Sequence, residues 1–351
     1  MTDRTRAAEF RESTPGTDVE FAYAGVPTFM KAEARDVTAL GGGDGDGEEP
    51  EPEPDPGPAA AVLGVPYDAA VSNRPGTRYG PRAVRAASAW WTYLSGYKHG
   101  LTNMRTGRTV DLSGMDIVDC GDVPVFPLGR ERTADSIAAH VATAAETSFP
   151  VVIGGDHYCT APAFRGFAAG AGRDTVGLVQ IDAHTDTTPE SDSFDGPFHG
   201  STAALIADSE YASYDRISQV GIRGYESPGF YEFADETGLN LYPAPEVDER
   251  GAAAVVEDAI AAAADGADAV YVTFDIDAVE PGIAPGTGTP EAGGLSASQA
   301  LTVMETLGAH DAVGAADLME VAPTHDPADN TARLGANLLV ALLERQFAER
   351  E

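Results

Sequence analysis

Only two of the 351 residues are lysine, Lys31 and Lys98, and only two are cysteine, Cys120 and Cys159. Basic residues total 22 against 56 acidic ones, a formal charge of −34. A surface so poor in cations has no means of neutralising phosphates, which excludes nucleic-acid binding as a main function. Two cysteines cannot build a disulfide framework and fit a reducing compartment. No run of 18 apolar residues occurs, as a membrane-spanning helix requires, and the N-terminus lacks a charged-then-apolar leader. The expectation is a soluble, cytoplasmic chain with neither nucleic acid nor membrane as partner.

Acidic excess on this scale often accompanies disorder, yet 43% of the residues are hydrophobic and several runs read as strands. Acidic residues are spread over the whole chain, a composition that resembles folded proteins of salt-accumulating halophilic archaea. There, dense counterions shorten the Debye length to about 3 Å at 1 M salt and screen the self-repulsion. One segment stands apart. Residues 41–58 are almost wholly Gly, Pro, Asp and Glu, and such a stretch cannot repay its ordering entropy. It reads as a disordered surface insertion.

Elsewhere, helical stretches at 133–146 and Ala252–Ala264 alternate with apolar strand runs, the mark of βα repeats and a mostly parallel sheet. Two strand ends carry the chemistry. Gln180-Ile181-Asp182-Ala183-His184-Thr185-Asp186 and Thr273-Phe274-Asp275-Ile276-Asp277 place acidic or imidazole groups at every second residue. Extended backbone points alternate residues to one face, so each run directs its ligands toward one spot. Each follows a buried-strand pattern, Val176–Ile181 and 270–274. A third strand, 151–153, runs through Gly154-Gly155 into Asp156-His157. Asp182, His184, Asp186, Asp275, Asp277 and His157 thus sit at or past strand carboxyl ends, the usual ligand crevice of open α/β sheets.

A lone Asp-x-Asp in an acidic protein usually marks a solvated turn. Three such clusters at the end of a buried sheet would repel one another and resist ionisation unless a cation were bound. Four carboxylates and two imidazoles without a thiolate suit Mn²⁺ better than a structural zinc site. Six ligands are too many for one open catalytic ion, whereas two ions about 3.5–4 Å apart, sharing a carboxylate from each run, use them all. Two divalent ions balance the four carboxylates, and a bridging hydroxide leaves the cluster at minus one. That favours a cationic electrophile over an anionic phosphoester.

Gly154-Gly155-Asp156-His157, Asp182-Ala183-His184-Thr185-Asp186 and Asp275-Ile276-Asp277 resemble, in order and spacing, the three signatures of the ureohydrolases. So do Glu280-Pro281 and Ala284-Pro285-Gly286-Thr287-Gly288-Thr289-Pro290, which follow the third. This is the arginase–agmatinase family of binuclear manganese enzymes. The segments 72–82, 118–122 and 319–323 look more like the agmatinase branch than like true arginases. The likeness implies one domain over residues 1–351, with a three-layer α/β/α arginase-like fold around a mostly parallel sheet of about eight strands. It also implies two Mn²⁺ per subunit (Ni²⁺ as the alternative), a small-molecule guanidino substrate, and a homo-oligomer, trimer or hexamer.

Carried over residue by residue, the resemblance assigns one ion to His157, Asp182, Asp186 and Asp275 and the other to Asp182, His184, Asp275 and Asp277. His199 matches a histidine proposed to shuttle protons near the leaving amine, and Glu320 a glutamate that pairs with the substrate guanidinium. A surface histidine is the competing reading of His199, which lies in a polar loop. Glu320 ends an apolar strand run, 313–321, where an unpaired carboxylate is costly. Asp156 reads as structural, and Cys159 as packing at the start of a helix. The implied reaction is hydrolysis of a guanidinium C–N bond, with agmatine giving putrescine and urea. The loop 187–198 holds Glu190, Asp192 and Asp195 and no cation, which suits an amine tail. Alternatives are guanidinobutyrate, guanidinopropionate or, with nickel, guanidine. A single-zinc deacetylase of the same fold and a non-catalytic binding protein are further readings, and the six-ligand set argues against both.

Overall fold

A computed structural model describes residues 21–40 and 57–347. Apart from Gly57 and Pro58, the expected acidic insertion lies outside the described residues. Nine strands make the main sheet: Glu33–Ala34 (β1), Ala60–Gly64 (β2), Ile117–Asp122 (β3), Phe149–Ile153 (β4), Val176–Ile181 (β5), Ile217–Ile222 (β6), Asn240–Pro243 (β7), Ala269–Asp275 (β8) and Val313–Met319 (β9). Their spatial order is β1-β3-β2-β4-β9-β8-β5-β6-β7, and every neighbouring pair is parallel. Nine strands replace the expected eight or so. The extra member is an edge of two exposed residues, too short to leave a periodic signal.

Helices cover both faces because the central strands are apolar on both. In β8, Val270, Val272 and Phe274 face one core, packed with residues from helices Gly80–Lys98 (α1), Ala252–Ala264, Ala297–Leu307 and Asn330–Phe347. Ala269 and Tyr271, of opposite parity, face the other core, with residues from Arg130–Ala145 and Thr160–Gly170. This is the three-layer arrangement expected of a parallel sheet buried on both sides. Among the described residues no helix is long and apolar enough to cross a membrane.

The edge of the sheet is pinned by charge. Arg85 of α1, 5% exposed, forks onto Asp119 of β3 at 2.8 and 3.0 Å and also reaches Asp122. Asp119 in turn accepts the Phe29 N–H at 2.7 Å. Removing one partner from such a buried pair leaves an uncompensated charge, at a cost of about 3–5 kcal/mol. Arg85→Leu should therefore lower stability by that amount in denaturant titration, whereas substitution of the exposed Arg165 should cost no more than about 1 kcal/mol.

The chain runs from β4 to β5 across a gap filled later by β8 and β9, and this switch point opens a crevice at the strand carboxyl ends. Register brings those ends level: Ile153 pairs with Leu318, Met319 with Asp275, and Phe274 with Ile181.

Candidate metal centre

Four adjacent strands deliver the predicted side chains to one place. Asp182, His184 and Asp186 follow β5, Asp275 ends β8 with Asp277 in the turn beyond, and His157 and Glu320 follow β4 and β9. His199 arrives on a short 3₁₀ turn, His199–Ser201, after the long loop behind β5. The approach of β4 requires glycine, since a Cβ on Gly155 would stand 1.6 Å from Tyr67 O. Asp186 and Glu320 hold φ of +50° and +62°. Left-handed backbone at a non-glycine residue is uncommon and tends to mark functional sites. It also ends β9 at Met319, two residues before the apolar run stops.

His157 Nδ1 lies 3.0 Å from Asp182 Oδ2, 2.9 Å from Asp186 Oδ2 and 3.3 Å from Asp275 Oδ2. His184 Nδ1 lies 3.1 Å from Asp277 Oδ2 and 3.7 Å from Asp182 Oδ1. Two triplets result, His157–Asp182–Asp186 and Asp182–His184–Asp277, each with ligand atoms within 4.8 Å of one another. Asp182 is common to both. Asp275 reaches the first triplet with Oδ2 while its Oδ1 accepts the Asp277 N–H at 2.8 Å.

Electrostatics shows what this arrangement lacks. Burial, reinforced by Asp277 and Asp182, pushes the Asp275 carboxyl well above its usual range. Burial and Asp182 push Asp186 up to about 6. The imidazoles respond oppositely. Burial works against a charged His184, but Asp182 and Asp277 push it up to about 12. Asp182 is held below the carboxylate range, against its burial, by His157 and His184. The carboxylates thus compete for positive charge that the two histidines only partly supply. His157 Nδ1 is buried with no hydrogen-bond partner although three carboxylate oxygens surround it. One proton cannot satisfy three anionic oxygens, whereas His157, Asp182, Asp186 and Asp275 together would suit a divalent cation, whose binding would release those protons. The donor set, oxygen-rich with two imidazoles and no thiolate, fits Mn²⁺ or Ni²⁺.

Glu320 is fully buried beside this cluster. Its Oε1 accepts the His157 N–H at 2.9 Å and lies 2.8 Å from His199 Nδ1. Oε2 is buried without a partner. A Cβ added at Gly288 would stand 3.7 Å from Oε2 and 2.7 Å from Arg74 O, so the absence of a side chain there keeps room beside that oxygen. With Oε1 engaged twice, Oε2 is the oxygen left for a further partner. His199, buried rather than on the surface, is pushed up to about 9. Burial works against its charge, but Glu320, Asp186 and Asp156 more than offset it. Its Nε2 faces Ser72, 2.7 Å from Oγ and 3.1 Å from the backbone N.

Asp156 accepts the Ala70 N–H at 2.8 Å, a structural bond. Cys159 is buried, with Sγ 3.7 Å from Asp156 Oδ1, just ahead of helix Thr160–Gly170. Several participants carried no assignment in the sequence. Gln180 Nε2 donates to Asp182 Oδ2 at 2.7 Å, and Thr273 Oγ1 lies 2.9 Å from His157 Nε2. Both extend the every-second-residue pattern one step back along their strands, a signal that could have found them. Thr289 Oγ1 donates to Asp277 Oδ2 at 3.0 Å.

Over the cluster opens a cavity of about 360 Å³ lined by Asn73, Arg74, His184, Thr289, Pro290 and Glu291. Glu190, Asp192 and Asp195 do not line it. Their loop turns back through a Ser191–Gly196 bridge and is held by Arg130 on the Phe194 and Asp195 carbonyls. The mouth carries charge of both signs, Arg74 and Glu291.

The arginase family profile matches residues 58–344. Mitochondrial agmatinase of Gallus gallus is 38% identical over 291 residues, 81% of this chain and 80% of that protein. Mitochondrial guanidino acid hydrolase of Homo sapiens is 34% identical, with 81% and 77% covered. Among solved structures, proclavaminate amidino hydrolase from Streptomyces clavuligerus superposes with a TM-score of 0.76 at 29% identity, over 93% of this chain and 99% of that one. Trypanosoma cruzi formiminoglutamase with Mn²⁺ gives 0.69 at 25% identity, over 82% and 92%. The profile takes in eight of the nine strands and every residue of the cluster, and the chain belongs to the arginase family.

Proposed function

We propose that this protein is a binuclear metal-dependent hydrolase that releases urea from guanidino compounds, with agmatine, giving putrescine and urea, as its leading substrate. The observation that carries the reading is the pair of ligand triplets sharing Asp182, with a buried unpaired Glu320 oxygen beside them. His157, Asp182, Asp186 and Asp275 would hold one ion, and Asp182, His184, Asp275 and Asp277 the other, with Mn²⁺ preferred to Ni²⁺. Bound there, two divalent ions supply Lewis acidity and lower the pKa of water toward neutrality.

The chain's own groups do the rest. Glu320 Oε2 accepts one N–H of the guanidinium and fixes the plane of the carbon to be attacked. Glu320 Oε1 holds His199 through Nδ1, which leaves Nε2 as the nitrogen that gains and loses a proton. Ser72 serves both states: its N–H donates to a neutral Nε2, and its Oγ accepts from a protonated one. A proton held at Nε2 is then available to the departing amine. His199→Asn should keep the metals and lower kcat by about 10²–10⁴-fold. With a pKa of about 9 in the folded protein, the proton is present below that pH and lost above it. The parent's kcat should accordingly fall as pH rises through about 9, and the variant should lose that limb.

Agmatine is supported by the relatives called agmatinase. Arg74 at the mouth favours a second reading, a guanidino acid whose carboxylate meets that cation, as in the relative called guanidino acid hydrolase. The proposal extends to one ureohydrolase domain over residues 1–351, a homo-oligomer, and a cytoplasm rich in salt, for which the charge of −34 is the support. Urea release measured in high salt with Mn²⁺ over agmatine, guanidinobutyrate, guanidinopropionate and guanidine decides the substrate. Agmatine should give the highest kcat/KM, and preference for an acid would move the assignment to the second reading. Loss of urea release from every compound, with metal bound, would remove the hydrolase reading.

A further inference from the structure

One buried carboxylate is used by none of these steps. Asp317, on β9, is fully buried and accepts from Thr160 Oγ1 at 2.8 Å and from Tyr271 Oη at 3.0 Å. Thr160 Oγ1 lies 3.2 Å from Thr273 Oγ1, which lies 2.9 Å from His157 Nε2. A line of hydroxyls thus joins a carboxylate beneath the sheet's end to the histidine whose Nδ1 faces Asp182, Asp186 and Asp275.

The line has a direction. Burial pushes the Asp317 carboxyl up to about 6, while His157 and the surrounding hydroxyls pull it down. Thr160 Oγ1 and Tyr271 Oη converge on the same oxygen, Oδ2, which accepts from both, and a hydroxyl has one proton to give. Thr160 therefore donates to Asp317 and offers a lone pair to Thr273. Thr273 donates to Thr160 and has only lone pairs left for His157. Nε2 must then carry a proton, and Nδ1, facing the carboxylates, is the nitrogen left to give up its own and ligate. A histidine free to turn would present either nitrogen, and the hydrogen bond at one nitrogen fixes the role of the other.

We infer that Asp317 is a positioning residue: through Thr160 and Thr273 it sets the direction of a hydroxyl relay that fixes His157 as an Nδ1 ligand. The inference rests on the metal-centre reading above. Partners of this kind orient ligating histidines, and their loss typically weakens metal affinity about 10–100-fold. Tyr271 provides the internal control, because it touches the same carboxylate but lies off the path to His157.

The test is Mn²⁺ affinity of the full chain by competition with a chelating dye, beside thermal melting of the metal-free protein. Asp317→Asn and Thr160→Val should each weaken Mn²⁺ binding about 10–100-fold. Tyr271→Phe should leave it near the parental value. Should Asp317→Asn fail to fold, Thr160→Val, which conserves volume, carries the decision. Parental affinity in Thr160→Val, or an equal loss in Tyr271→Phe, would overturn the relay, the latter by showing a packing defect. A parent that takes up no Mn²⁺ would remove the metal centre and the relay together.

Discussion

Asp275→Asn should abolish turnover and tight metal uptake together. The side chain ends β8, is 3% exposed, and reaches His157 Nδ1 with one oxygen while the other holds the Asp277 N–H. An asparagine keeps the shape and can still accept from Asp277, so the fold should survive. What it removes is the charge that the proposed assignment shares between two ions. Breaking a buried charge pair costs about 3–5 kcal/mol, roughly a hundred- to several-thousand-fold in affinity. Elemental analysis after gel filtration should find little metal, and urea formation should drop to background. A variant that retained two ions and parental turnover would show that Asp275 is no shared ligand.

Glu320→Gln should separate chemistry from metal binding. The glutamine can still accept the His157 N–H through its carbonyl oxygen, but it has no charge for the guanidinium and a weaker hold on His199. Truncating one side of a buried charge-assisted pair commonly costs about 2–5 kcal/mol, so turnover should fall by a factor on the order of 30 to several thousand. Metal content should stay at the parental level. Parental urea formation would refute the guanidinium contact, and loss of both metals would make Glu320 part of the metal scaffold.

How far the sequence went can be judged from particular residues. The strand Val176–Ile181 and the helix Ala252–Ala264 match their expected limits because apolar periodicity and burial coincide there. Helix Arg130–Ala145 begins before the expected residue 133, and Thr133 lies within its first turn, bonding Phe126 through its Oγ1. Five of the six candidate ligands were proposed from alternation at two strand ends, and His157 from the end of a third strand; all are local signals, and the structure brings the six side chains into one cluster. The site's long-range partners were not readable in this way. Ser72 and His199 are 127 residues apart, and Thr160 and Asp317 are 157 apart. No local pattern encodes such pairs, which meet only once strands distant in sequence assemble into one sheet. The acids of loop 187–198 are not among the residues lining the cavity, because acidic composition says nothing of the direction in which a loop's backbone turns.

The two-ion site is tested most directly by titrating the metal-free protein with Mn²⁺ in high salt while following urea formation from agmatine. The expected result is two ions per chain at saturation, activity that rises with their uptake, and loss of both on chelation. Saturation and full activity at one ion per chain would contradict a shared Asp182–Asp275 centre and leave a single-ion site in its place.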